Sequence, residues 1–348
     1  MFTAARQALE DGLAARVFPA AVVEVGTTTE VLWCEPFGRL TFAPDSPAVS
    51  DDTLFDLASL TKVLVTTPLA MQQHEQGVIG LDDPLSRHLP AWSGSDRAMV
   101  TIRDLLSHCS GLPAHRPYFE RLSGRAAFES AICSEALDVA PRTRAIYSDL
   151  GFILLGFLLA REGDLDRRLA TLLAQMSVAE PLLFGVPHQW RRRVAPTAED
   201  SWRGRLLVGE VDDQNAAALG GVCGHAGLFG TAAAVGACAR HLLQVLDGRT
   251  GAFTRTTLNT FITRRADIPD SSRALGWDTM LPTSSCGTAM SPSAIGHTGF
   301  TGTSLWIDLE RGVYVTLLTN RVHPDRVDRG IQQVRRRVHD AIMRTLAR

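Results

Sequence analysis

Ser59 and Lys62 stand three residues apart in the stretch Phe55-Asp56-Leu57-Ala58-Ser59-Leu60-Thr61-Lys62, and Lys62 is the only lysine among 35 lysines and arginines. Arginine serves for surface charge, but it does not give up its proton in a protein. Lysine does, when burial or a neighbouring cation lowers its pKa. The one retained lysine therefore marks a candidate site of proton-transfer chemistry. On a helix, the three-residue spacing puts the hydroxyl and the amine on one face, with roughly 5–6 Å between their Cβ atoms. A serine that opens the helix also turns its N–H towards the positive end of the dipole, where a developing oxyanion is favoured. The pair thus offers a nucleophile, a base or electrostatic activator, and half of an oxyanion hole. The plainer alternative makes Ser59 a helix cap and Lys62 a surface charge; the uniqueness of the lysine and two later segments weigh against it.

The first of those segments is Ile146-Tyr147-Ser148-Asp149-Leu150-Gly151, just before an apolar helix. A phenol beside an ammonium is favoured in its ionised form and could relay the Ser59 proton to a leaving group. Alone, Tyr147 would read as a core aromatic. The second is Gly296-His297-Thr298-Gly299-Phe300-Thr301-Gly302, at the entry to a strand. Glycines on an edge strand admit a ligand close to the backbone, an extended substrate can pair with such an edge, and the Phe300 N–H could supply the other half of the oxyanion hole. Alone, this would read as a turn.

Together, Ser59-x-x-Lys62, Tyr147-Ser148-Asp149 and His297-Thr298-Gly299 resemble the three motifs of the serine β-lactamase and penicillin-binding-protein superfamily. The branch they resemble is the class C-like one, which also holds DD-peptidases and esterases. Residues 79–89, 101–113, 224–230 and 297–308 look like further blocks of that family. The resemblance implies an α+β sandwich, an antiparallel sheet flanked by helices, formed by residues 1–78 and 216–348. A mostly helical domain, 79–215, would be inserted, with the active site in the cleft between the two. Ser59 would be the nucleophile, Lys62 and Tyr147 would handle its proton, and Asp149, His297, Thr298 and Gly299 would contact substrate. The backbone N–H groups of Ser59 and Phe300 would form the oxyanion hole, and the resemblance implies no cofactor or metal.

Two departures carry meaning. The family's lactamases usually have asparagine at the position of Asp149, and an ionised aspartate accepts hydrogen bonds without donating any. They commonly have lysine at the position of His297, and a histidine near neutral pH offers a β-lactam carboxylate less positive charge. Both departures point to an esterase, amidase or peptidase rather than an efficient lactamase. The alternatives are a true β-lactamase or D-Ala-D-Ala carboxypeptidase, or a binding module that acylates without turnover.

The elements that must position these residues follow from pattern. Thr3 to Ala14 has helical spacing; Ala20 to Val25 and Val31 to Leu40 form a hairpin around Gly26 and three threonines. The Ser59 helix should run to about Gln76, with a kink at Thr66-Thr67-Pro68. From Leu81 to about Asp200 the signals are mainly helical: a capping box at Thr101/Asp104, then apolar-faced helices over Ala145–Arg161 and Leu165–Ala179. After the glycines of 220–230, which match no phosphate-loop pattern, Thr231 caps a helix through Leu243. Gly302–Leu309 and Val313–Asn320 are strands joined by a turn, and Val327–Ala347 is an amphipathic, arginine-rich helix.

Composition bounds the rest. With 348 residues, 45% hydrophobic and 21% charged, the chain has the profile of a globular protein of about two domains. A net charge of −2 gives no reason to expect nucleic acid or an anionic membrane as partner. The expected ligand is a small ester, amide or lactam. Six scattered cysteines read as reduced and mostly buried, and the start Met1-Phe2-Thr3-Ala4-Ala5-Arg6 lacks signal-peptide features, so the expectation is cytoplasmic. His108 and His115 have no metal-ligand spacing. His225 is either a cleft residue or a structural histidine.

Overall fold

The computed structural model describes residues 1–160 and 165–347. Its strands, in chain order, are β1 (Ala20–Thr27), β2 (Val31–Gly38), β3 (Phe55–Asp56), β4 (Leu182–Phe184), β5 (Glu199–Asp200), β6 (Arg205–Leu206), β7 (Leu228–Gly230), β8 (Asp278–Thr279), β9 (Ile295–Thr298), β10 (Ser304–Asp308) and β11 (Val313–Thr319). Six of them form one antiparallel sheet in the order β2-β1-β11-β10-β9-β8.

The sheet is buried on both faces because β1 and β11 carry apolar side chains at nearly every position. Alternation then sends Ala21, Val23 and Val25 to one core and Ala20 and Val22 to the other. The first core is closed by the helices Thr3–Ala14 and Ile331–Leu346, from opposite chain ends. In the latter, Val334, Val338 and Ile342 recur every four residues and are buried. The second core runs from the helix Ala232–Leu246, capped by the Thr231 side chain on the Ala234 N–H, into the helices that follow Ser59. β2, at the sheet's margin, buries only Phe37 fully and carries Pro36, which only an edge strand tolerates well.

The segment expected to be mainly helical does hold Ile102–Leu106 with its capping box, Arg125–Ser134, Asp149–Ala160 and Leu165–Met176. The expected helix end at Arg161 lies outside the described residues. The same segment also contains β4, absent from the sequence reading because three residues are too few to show a period. β4 pairs with β7, and β7 with β3, so a small antiparallel sheet ties residues 182–184 to the strand that leads into Ser59.

The kink expected at Thr66-Thr67-Pro68 takes the form of a π-helical turn over Lys62–Thr66 before the helix Thr67–Glu75. Pro68 has no N–H for the ladder, and the wider turn absorbs the register change. Of the six cysteines, all free, only Cys34 is exposed. Among the described residues, no helix is long and apolar enough to cross a membrane.

Candidate active site

β3 ends in a turn built around Asp56. Its Oδ1 accepts from the Ala58 N–H at 2.8 Å and its Oδ2 from the Asp212 N–H at 2.6 Å. Those bonds hold Ala58 at φ +46°, a left-handed conformation uncommon for a residue with a Cβ. Burial, with Asp212 nearby, pushes the Asp56 carboxyl up to about 7. Straight after this turn the Leu60, Thr61 and Lys62 N–H groups bond to the carbonyls three residues back, so Ser59 sits at the head of the helix.

The Lys62 side chain is fully buried, and its ammonium has three acceptors: Ser59 Oγ at 2.8 Å, Asp149 Oδ1 at 2.8 Å and the His225 carbonyl at 3.1 Å. Every proton of the ammonium is thereby used. Burial pushes Lys62 down, but Asp149 and the Tyr147 phenol outweigh it, so its pKa is raised above the ordinary lysine value. The Asp149 carboxylate, at contact distance, keeps the ammonium charged, which suits the electrostatic activator rather than the base among the two roles left open for Lys62.

Asp149 opens the helix Asp149–Ala160, whose apolar surface is buried almost all round. Its carboxylate reaches Lys62 and also lines the cavity. Tyr147 lies between the rings of His108, 4.6 Å away, and His297, 5.8 Å away. Lys62 Nζ is 4.9 Å and the Arg273 guanidinium 5.2 Å from the Tyr147 ring centre. His108 Nδ1 accepts from the Ser148 N–H at 3.0 Å, fixing the backbone between Tyr147 and Asp149. Burial and the nearby cations Lys62 and Arg273 hold both His108 and His297 well below the usual histidine range, so both rings are neutral.

The third motif is less of an open edge than its glycines suggested. β8 pairs with Ile295 and Gly296, so only the His297–Thr298 end of β9 is free on that side. A Cβ on Gly296 would strike Trp306 at 2.2 Å, so that glycine serves packing. Gly299 differs: a Cβ there would lie 2.1 Å from Thr303 Oγ1 and 2.6 Å from the Leu57 carbonyl. The loop therefore rests directly on the backbone that precedes Ser59. Thr301 donates to the Asp56 carbonyl and Thr303 to the Leu57 carbonyl, at 2.7 and 3.0 Å. Arg335, buried and reaching over from the last helix, donates to the Gly299 and Thr303 carbonyls. Among the described residues, neither the Ser59 nor the Phe300 N–H has a partner.

Ser59, Tyr147, Asp149, His297, Thr298, Gly299 and Phe300 all line one cavity of about 640 Å³, and Lys62 lies behind its floor. Three features went unread in the sequence: Arg273 over the phenol, the Asp56 turn, and Asp213, which lines the same cavity and bonds His225. Arg273 and Asp213 meet the site across loops and have no spacing signal, and Asp56, three residues before Ser59, shows its role only through its bond to the distant Asp212 N–H. The His225 ring itself is buried outside the cavity, and its carbonyl faces Lys62. Among the described residues, no cluster of side chains is arranged to hold a metal ion.

Comparison with known proteins bears on the family and the fold. A protein of Escherichia coli strain K12, provisionally named a D-alanyl-D-alanine carboxypeptidase, is 29% identical over 309 residues, covering 78% of this chain and 70% of its own. A class C β-lactamase from Rhodobacter sphaeroides has a similar fold, with a TM-score of 0.76 and 20% identity over 99% of both chains. So does EstCE1, a hydrolase with promiscuous acyltransferase activity, at a TM-score of 0.73 and 20% identity over 97% of each chain. The sequence profile of the Beta-lactamase family matches residues 5–339. A fold shared end to end and a profile spanning nearly the whole chain lead to one conclusion: the protein belongs to the Beta-lactamase family of β-lactamase-fold serine hydrolases.

Proposed function

We propose that the chain hydrolyses a small ester or amide through an acyl-enzyme on Ser59. Ser59 Oγ attacks the substrate carbonyl carbon as its proton passes to the Tyr147 oxygen and the phenol's own proton moves on towards the leaving group, since Lys62 has no vacant site to receive one. That second proton reaches the leaving group as the carbonyl–leaving-group bond breaks, and water releases the acid. The Lys62 ammonium stabilises negative charge on Ser59 Oγ and on the phenol, with Arg273 adding to the latter. The free Ser59 and Phe300 N–H groups would take the oxyanion. Thr298 and the open end of β9 would hold the substrate, and His297, neutral, would contribute shape rather than charge. In this reading the cleft lies between residues 1–78 with 216–348 and residues 79–215.

The observation that carries the proposal is the saturated ammonium bonded to Ser59 Oγ beneath the cavity. A fluorophosphonate or penicillin probe is expected to label one serine stoichiometrically, and Ser59→Ala to abolish labelling. Persistent labelling of that variant would show the nucleophile to be elsewhere.

A second reading, D-Ala-D-Ala carboxypeptidase activity, is favoured by the provisional name of the Escherichia coli relative. Turnover of D-Ala-D-Ala peptides against p-nitrophenyl esters and nitrocefin separates the two. A burst of one equivalent without steady turnover would instead indicate a binding module.

A further inference from the structure

Behind Lys62 lies a second chain of side chains. His225 Nε2 is 2.9 Å from Asp213 Oδ1, and His225 Nδ1 is 3.1 Å from Cys223 Sγ. The ring is buried, and so is the thiol. Asp213, with 24% of its side chain exposed, stands on the cavity wall. Both nitrogens of the imidazole are thus tethered, one at each edge, and the ring cannot swing without breaking a buried contact. The backbone on either side is equally confined. Gly224 packs on the helix Asp149–Ala160 so closely that a Cβ would sit 2.3 Å from the Phe152 carbonyl, and its own carbonyl accepts from Thr66 at 2.6 Å.

Resting on the hydrolase reading above, we infer that Asp213 is a positioning residue: through His225 it fixes the main-chain carbonyl that takes the third proton of Lys62. Without that carbonyl, a buried ammonium would keep only two acceptors and could rotate away from Ser59 Oγ. The charges agree with this role. Burial opposes charge on both partners, yet the pair is held ionised: His225 is raised well above the usual histidine range, with Cys223 and Asp213 facing it, and Asp213 is held well below the usual carboxylate range. His115 also acts on Asp213, and Asp213 in turn acts on Asp56.

Asp213→Ser is an informative substitution. Asp213 also caps the helix Gln214–Ala218 through the Ala216 N–H at 2.7 Å, and serine caps as well as aspartate does. The serine hydroxyl, one bond shorter, keeps the cap but does not reach His225 Nε2, so the variant cuts the tether.

Because Lys62 is the sole lysine, protein labelled with [15N]lysine gives a single side-chain amine signal, readable by NMR without any substrate. In Asp213→Ser the titration midpoint of that signal is expected to fall by about 1 pH unit, as the untethered ring lets the carbonyl move off the ammonium. The limiting rate of fluorophosphonate acylation should fall roughly ten-fold, with the half-saturating probe concentration unchanged. An unaltered amine signal, or a change in half-saturation alone, would overturn the inference and leave Asp213 a helix cap. If Asp213→Ser does not fold, His225→Leu cuts the same link from the ring's side and leaves the main-chain carbonyl in the chain; an amine signal unmoved there overturns the inference equally. Labelling that survives in Ser59→Ala would sink the nucleophile assignment while the amine signal still judged Asp213.

Discussion

Asp149 and Lys62 form an ion pair of 2.8 Å in which the lysine side chain is wholly buried and the aspartate keeps 20% of its surface open to the cavity. The charge that holds the ammonium in place is thus also part of the wall a substrate meets. A substitution at Asp149 should therefore act on stability and on substrate choice together.

Asp149→Ala leaves a buried ammonium without its countercharge and should destabilise the fold by about 3 kcal/mol. Asp149→Asn keeps an acceptor for Lys62 and adds an N–H that can donate to an amide carbonyl. Its ratio of nitrocefin to p-nitrophenyl ester acylation should rise. Urea unfolding checks the first, and paired kinetic assays the second.

Lys62→Arg keeps the charge but replaces a compact ammonium by a planar fork in a pocket whose three acceptors are arranged for one nitrogen. Probe acylation of Ser59 should drop by about 100-fold or more. Retention of the wild-type rate would show that the ammonium's geometry does not matter to the chemistry.

Gly299→Ala would drive a Cβ into Thr303 Oγ1 and the Leu57 carbonyl. Relief requires the loop to lift from the Ser59 turn, carrying the Phe300 N–H with it. A cost of about 1–3 kcal/mol is expected, with a fall in kcat larger than any change in KM. Thermal unfolding and steady-state kinetics on a p-nitrophenyl ester measure both.

Acid should destabilise the protein before its carboxylates titrate. His108 and His297 are held well below their ordinary value by burial and nearby cations, and burial pushes His339 down to about 3. A histidine depressed in the folded state stays neutral there while the unfolded chain takes up a proton, so stability falls as pH drops below about 6.5. Asp56 works against this: protonated in the fold up to about 7, it holds one proton that the unfolded chain lacks at pH 5. His225, also raised, has the same sign as Asp56, but its contribution is complete below about 6.5 and is lost only as pH climbs through its folded value. From these groups a net uptake of about two protons on unfolding is expected at pH 5. Urea midpoints measured at pH 5, 6 and 7 would show the decline; a flat profile would contradict it.

Much of this was legible because it is local. The helix Thr3–Ala14, the strands of β1 and β2, the Thr101/Asp104 cap and the Thr231 cap depend on nearest neighbours and short periods, which sequence records directly. β4 and β8 were not legible, since two or three residues show no period and their pairing partners lie far away in the chain.

By itself, the sequence determined which residues were available for chemistry: one lysine, three residues from a serine, with Tyr147-Ser148-Asp149 and His297-Thr298-Gly299 following in a familial order. The protonation state of that lysine was decided only by tertiary structure. An isolated buried amine would have lost charge, but the fold sets Asp149 and the His225 carbonyl against it from two distant segments. A pKa answers to charges a few ångströms away in space, and spacing along the chain does not reveal which of them will arrive.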